Sequence, residues 1–333
     1  MSNKIVCVTF LLFFLSSGFA LGAELNPCPT YPVPSKAEGA TIYKDKAGSI
    51  ADPEKVRQRN EKVAPLRKFV TEASQRVDSD QHADQECAFK MMQGWAQGHA
   101  LLDDPDDFNG QRERLEYALP LNVIAIKLKA RGFKIDSLNG WLGDLTHGVM
   151  RDFAKLNHVG NLYIWSGTVA ASFGVLSGEE DSKHYEDKVW EFGIQSIRSD
   201  GYIDRELKRE GRATLYHMYN FSALLTLQTF RGALGEALSA GDRAALKRLS
   251  DRVAGALCDP TGIAAAAGGH NQEKFAFSSG DFVHCSSGIA AFGKILSDGP
   301  PFGRCGPQVL PQGFPVLGGR FDKTTQALAA LKK

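Results

Sequence analysis

Apolar residues recur every three or four positions along most of the chain, and segments where they alternate singly are nearly absent. This spacing predicts helix after helix rather than sheet, with helices at roughly 53–77, 82–102, 110–131, 136–156, 161–176, 182–198, 205–235, 241–257 and 282–296. Gly, Asp, Ser or Pro marks the joints. Asp52 and Pro53 form the clearest start, an N-cap followed by a proline at the first helical position. Leu115, Leu119, Val123 and Ile126 make one apolar stripe, and Pro120 and Pro65 are expected to kink their helices. Many helices with short joints favour antiparallel pairs, stacked as an open solenoid or curled into a toroid. Without a repeat of fixed length, the expectation is an all-α fold, an incomplete α/α toroid whose central groove suits an extended polymer.

The first residues are patterned differently. Lys4 precedes an apolar run over 5–15, and small residues follow at Ser16, Ser17, Gly18, Ala20, Gly22 and Ala23. That is the layout of a secretory signal peptide, and the run is short for a membrane span. The expected organisation is a signal peptide over 1–23 and a single domain over 24–333, periplasmic or secreted, with no membrane association after cleavage. Of six cysteines, Cys7 leaves with the leader, so an odd number remain for an oxidising compartment. Cys28 with Cys87 would pin a Pro-rich tail to the body, and Cys285 with Cys305 is the second expected pair. Cys258 can displace either partner.

Composition narrows the function. The chain has 333 residues, 43% of them hydrophobic, and a formal net charge of +1 from 39 Lys and Arg against 38 Asp and Glu. No whole-protein attraction to nucleic acid follows. The absence of any C-x-x-C pair argues against the usual structural zinc site, and no metal or cofactor is expected. The acidic cluster Asp103, Asp104, Asp106 and Asp107 lacks EF-hand spacing and reads as a solvated turn. A monomer is expected.

Candidate chemistry gathers in RELKREGRATLYHMYNFSALL, residues 205–225. On one continuous helix, with Lys208 at 0°, Tyr219 falls near 20°, Arg212 near 40°, Tyr216 near 80° and Arg209 near 100°, at about 100° per residue. Cations and phenols then share a face, which suits removal of a proton α to a carboxylate that an arginine neutralises. The cations would favour the phenolate form of a tyrosine. A solvated basic face with two tyrosines packed at its edge fits the same pattern.

In KLNHVGNLYIWSG, residues 155–167, Asn161 and Trp165 stand four apart at a helix start, as a carboxylate-binding amide and a sugar-stacking indole or as a capping residue and a core tryptophan. His158 just before them is a candidate acid or base, or a surface residue. Trp95 and His99 read as core rather than groove wall.

Together these stretches resemble the alginate lyases, helical polysaccharide lyases of the bacterial periplasm that cleave mannuronate-rich polymer. ELKREGRATLYHMY, residues 206–219, is similar to the family's helix with E-L-K-R, R-A and Y-H-N followed by Tyr or Phe, with Met218 in place of the Asn. YKDKAGSIADP, residues 43–53, resembles the family's lid loop. The resemblance implies a catalytic role for Tyr216, carboxylate neutralisation by Arg209, groove contacts from Arg212, Tyr219 and Lys208, and lid contacts from Lys46 and Tyr43.

The family's N-N-H-x-Y-W signature is altered. A gap-free alignment puts Asn161 on the second Asn, Trp165 on the Trp and Leu162 where the His belongs, and Val316 stands where the family has an Arg before L-G-G. Asn161 then takes up carboxylate neutralisation, or His158 replaces the imidazole from the preceding turn. The implied function is a polysaccharide lyase cleaving an anionic polyuronate by β-elimination. The competing functions are an inverting glycoside hydrolase, for which the motif helix offers no paired carboxylates, and a polymer-binding protein on a decayed lyase scaffold.

Overall fold

The computed structural model describes residues 27–45, 50–155, 160–273, 295–296, 305 and 313–332. The leader, Lys46, His158, Cys285 and nearly all of the predicted 282–296 helix lie outside the described residues.

Within the described residues the predicted helices form apart from the 205–235 segment, and where one ends early the backbone shows why. α1 (Pro53–Asp78) starts where Asp52 accepts the Glu54 N–H at 3.0 Å. α2 (His82–Gln97) stops short of 102 because His99 and Leu101 take positive φ, 53° and 63°. The chain there turns to pair with the N-terminal tail: Leu101 N–H donates to the Pro34 carbonyl at 2.8 Å, and Asp103 N–H to that of Ser35 at 2.9 Å. Trp95 is core, stacked on Phe69 with ring centroids 3.5 Å apart and donating to the Pro32 carbonyl. In α3 (Phe108–Ala130), Asp107 of the acidic turn is the N-cap, accepting from Gly110 N–H at 2.8 Å.

α4 (Asp136–Ala154) and α6 (Glu180–Gln195) pack with α3 and α8 around α5 (Asn161–Ser177), which is buried along nearly its whole length. Gly167 lets α5 and α6 approach, since a Cβ there would stand 2.5 Å from the Val189 side chain. The buried polar atoms of α5 are partnered: Asn122 donates to the Val169 carbonyl at 3.2 Å and to Ser172 Oγ at 3.1 Å. One hydrophobic core runs through these helices, and a second small cluster joins Leu207, Ala213, Ala256, Ile263 and Ala267.

The predicted 205–235 helix is three pieces: α7 (Asp204–Leu207), a 3-10 turn (Glu210–Arg212) and α8 (Ala213–Ala233). Glu210 sits at φ 52°, and the carbonyls that a continuous helix would use are taken by a distant segment. Gln272 Nε2 donates to the Glu210 carbonyl at 2.9 Å, and Glu273 N–H donates to that of Gly211 at 2.8 Å. Helical arithmetic therefore does not apply between Lys208 or Arg209 and Tyr216.

α9 (Ala240–Cys258) begins at the Ser239 cap, and α10 (Thr261–Ala266) and α11 (Phe321–Leu331) were not expected. A two-residue hairpin, β1 (Gly313–Phe314) with β2 (Gly319–Arg320), pairs Gly313 with Arg320 and Phe314 with Gly319. Asp78 at the end of α1 secures it: its two oxygens accept from buried Lys127 Nζ at 2.7 Å and from Arg320 N–H at 2.6 Å. Lys127 also donates to the Gly318 carbonyl at 2.7 Å.

Cys28 bonds Cys87 across 59 residues, as expected. The second expected pair, Cys285 with Cys305, is not formed: Cys305 bonds Cys258, the last residue of α9, with Cα atoms 5.1 Å apart, inside the range a disulfide spans. No helix among the described residues is long and apolar enough to cross a membrane.

Candidate active site

The start of α8, the 3-10 turn before it and the loop before α1 bring together Tyr43, Arg209, Arg212, Tyr216 and Tyr219. Tyr43 is set by a bridge to Ala51, by Lys44 N–H donating to the Ile50 carbonyl at 2.9 Å, and by Lys55 Nζ on its own carbonyl at 2.8 Å. Its hydroxyl and that of Tyr216 share a short hydrogen bond, in which either can be the donor. Arg212 Nη1 donates to the Tyr43 hydroxyl at 3.1 Å, and its Nε donates to Glu273 Oε2 at 3.1 Å. The Arg209 guanidinium lies over the Tyr216 ring, 4.4 Å from its centroid, and the Tyr219 ring is 5.7 Å away.

Two neighbouring side chains fix this arrangement. Gln272 Oε1 accepts from Thr214 N–H at 2.9 Å and from its hydroxyl at 3.0 Å, capping the start of α8 from a remote part of the chain. His217 is buried and bonded at both ring nitrogens. Nε2 accepts the Ile203 N–H at 2.9 Å, so the proton sits on Nδ1, which donates to the Ala213 carbonyl at 2.7 Å. Burial lowers its pKa to about 4, so it is a neutral strut beside Tyr216.

The expected phenolate is not favoured at Tyr216. Its side chain is buried, and burial first, then Tyr43, pushes the phenol well above its ordinary value, against the opposing pull of Arg209 and Arg212. Two guanidiniums at ring-face distance do not offset loss of water around a charged oxygen. The group is a neutral hydroxyl poised to donate.

Asn161 opens α5 and is buried, and Trp165 is half-buried against the core. Lys208 is exposed on the turn after α7, and no contact brings it to the tyrosines. Leu162 and Val316, the two positions at which the gap-free alignment departs from the family pattern, are partly buried and pack on the core. Sequence reasoning missed Glu206, Gln272 and Glu273. Glu206 had a signal in its position three before Arg209, whereas the other two lie some 60 residues away with none. Among the described residues, no three His, Cys, Asp or Glu side chains converge on a point that would hold a metal ion. A surface pocket between α4 and α6, lined by His147, Arg151, His184 and Lys188 among others, shares no residue with this cluster.

A buried phenol flanked by guanidiniums and capped by a loop phenol thus stands where α8 begins in a helical scaffold. The sequence model of the alginate lyase family matches residues 43–262, and the chain belongs to that family. It is 26% identical over 251 residues to the alginate lyase of Pseudomonas syringae pv. tomato, covering 72% of this chain but 65% of that protein's length. It is likewise 26% identical over 265 residues to the alginate lyase of Pseudomonas fluorescens, covering 73% and 70% of the two chains.

A tetrasaccharide complex of alginate lyase A1-III superposes with a TM-score of 0.70 at 16% identity, over 90% of this chain and 84% of that one. The A1-III crystal structure from Sphingomonas species A1 gives 0.64 over 90% and 85%. The likeness shows the fold: the helix pairs form the expected α/α toroid.

Proposed function

We propose that the protein is a polysaccharide lyase that cleaves a mannuronate-rich polyuronate such as alginate by β-elimination, with Tyr216 moving both protons. The observation that carries this reading is the Tyr216 hydroxyl, buried beneath Tyr43 of the loop and flanked by Arg209 and Arg212. Family membership supports the substrate class.

The uronate carboxylate engages Arg209 with Asn161, which withdraws charge from C5 and makes its hydrogen acidic. In mannuronate and glucuronate that hydrogen and the leaving oxygen on C4 lie on one face of the ring, so one phenol reaches both. Tyr216 gives its hydroxyl hydrogen to the leaving oxygen as the C4–O bond breaks. The C5 hydrogen takes its place, and a C4–C5 double bond forms. The phenol begins and ends neutral, which suits a hydroxyl that burial keeps protonated. Tyr43 and Lys46 act from the loop, which must lift from Tyr216 as substrate enters. Arg212, Tyr219, Trp165 and Lys208 contact the polymer, and His158 is the alternative acid-base group.

The leader pattern and two disulfides support a periplasmic or secreted setting, and we place the working protein there as a monomer. Leu162 and Val316 support a second reading, a lyase-like protein that binds exopolysaccharide without cleaving it. The mature protein is to be incubated with several polyuronates while absorbance is followed at about 230 to 240 nm, where the conjugated product absorbs. A rise is expected. Binding without a rise supports the second reading, and new reducing ends without a rise overturn both.

A further inference from the structure

Glu206 belongs to this cluster, and no step above uses it. Its side chain is 1% exposed, and its carboxyl is only loosely held: neither oxygen makes a close hydrogen bond, and its polar neighbours are Asn220 and, at 3.9 Å, the Arg209 guanidinium. A carboxyl so loosely partnered in a dry interior is costly, and packing alone would be served by an apolar residue. Its two oxygens face the two segments that carry the proposed carboxylate-binding groups. Oε2 lies 3.9 Å from Arg209 Nε. Oε1 lies against Gly160, the N-cap of α5, where a Cβ would stand 2.3 Å from it. Gly160 has φ 64°, and no other residue fits both that conformation and that contact. The next residue is Asn161.

The carboxyl therefore sits at the positive end of a 17-residue helix and beside a guanidinium. Burial raises its pKa and outweighs the lowering pull of Asn220, Arg209 and Arg205. Arg209 in turn covers the Tyr216 ring, so Glu206 stands behind both arms of the proposed carboxylate site.

We propose that Glu206 is a positioning residue that sets the distance between Arg209 and the Asn161 end of α5, and so aims both at the uronate carboxylate. This inference rests on the lyase reading. It gains weight from Leu162, because a chain with an apolar residue at the family's imidazole position depends more on the aim of the two groups that remain.

The test compares Glu206→Asp and Glu206→Gln, each also combined with Arg209→Ala, in the elimination assay with thermal unfolding recorded alongside. Glu206→Asp keeps the carboxyl and withdraws it by one methylene, so kcat should fall about 10- to 100-fold while KM and the unfolding midpoint hardly move. Glu206→Gln keeps the length and should retain kcat within about threefold. With Arg209→Ala in place, Glu206→Asp should cost little more. Full activity of Glu206→Asp, or an equal loss with and without Arg209, overturns the proposal. Wild-type protein inert on every polyuronate rejects the lyase reading, and a crystal structure of Glu206→Asp then decides. Arg209 displaced from the Tyr216 ring supports positioning, and Arg209 unmoved overturns it.

Discussion

The hydroxyls of Tyr43 and Tyr216 share a hydrogen bond although 173 positions separate them in the chain. One belongs to the segment before the first helix and the other to the first turn of α8, so Tyr43 stands over the group that burial holds protonated. In the proposed reaction the substrate takes the place of Tyr43 at Tyr216. Removing the Tyr43 hydroxyl also strips an acceptor from Arg212. Tyr43→Phe is therefore expected to lower kcat about 10-fold with a smaller change in KM, measured by initial rates of absorbance. Unchanged kcat would separate the loop from the chemistry.

Tyr216→Phe removes one oxygen and leaves the ring under Arg209. Elimination should slow by about 10²-fold or more, while the lost hydrogen bond costs about 1 kcal/mol of stability. Rates and denaturant unfolding on the same preparation check both. A near-normal rate would refute the assignment, and an inactive Tyr219→Phe beside it would move the role to that phenol.

Asn161→Ala should cripple turnover, whereas His158→Ala should be almost silent, because Asn161 and Trp165 keep the family's helical spacing without an insertion. Both are to be measured on one substrate. A silent Asn161→Ala with a dead His158→Ala would reverse the choice.

Peptide mapping without reductant should find Cys28 joined to Cys87 and Cys258 to Cys305. Loops of this size contribute about 4 kcal/mol each on the chain-entropy account, so Cys258→Ser should lower the unfolding midpoint clearly. A recovered peptide joining Cys285 to Cys305 would overturn the second bridge.

His217 carries a pH dependence. Its folded pKa, about 4, is below the usual 6.5, so the unfolded chain binds its proton first as pH falls. The contribution is fully present above pH 6.5 and is lost progressively down to about pH 4, amounting to about 3 kcal/mol. Unfolding free energies of wild type and His217→Gln across that window should converge as the pH drops. Parallel curves would contradict this.

The helical fold was legible because apolar spacing and the Asp52–Pro53 start are local signals, and α1 to α6 begin within two residues of their predicted starts. The 205–235 segment was misread as one helix for the opposite reason. What breaks it is Gln272 and Glu273, which claim backbone carbonyls from another part of the chain. Even so, Arg209 reaches Tyr216, since the turn swings its guanidinium across the ring. The protonation state of Tyr216 was also out of reach, because charges can be counted in a sequence but burial cannot. Cys258 had been open as an alternative partner, and only the end of α9 decides for it.

The grip of Gln272 and Glu273 on residues 210–214 has a consequence for how the protein can be cut and compared. The segment matched by the family ends at 262, ten residues before the side chain that caps α8 and eleven before the carboxylate on Arg212. A chain ended at 262 would keep every tyrosine and arginine of the cluster yet lose the clasp that holds the turn between α7 and α8 in shape. The motif residues and the side chains that hold their turn thus lie in separate stretches of this chain, and substitutions at Gln272 and Glu273 are expected to retune the site without touching a motif residue.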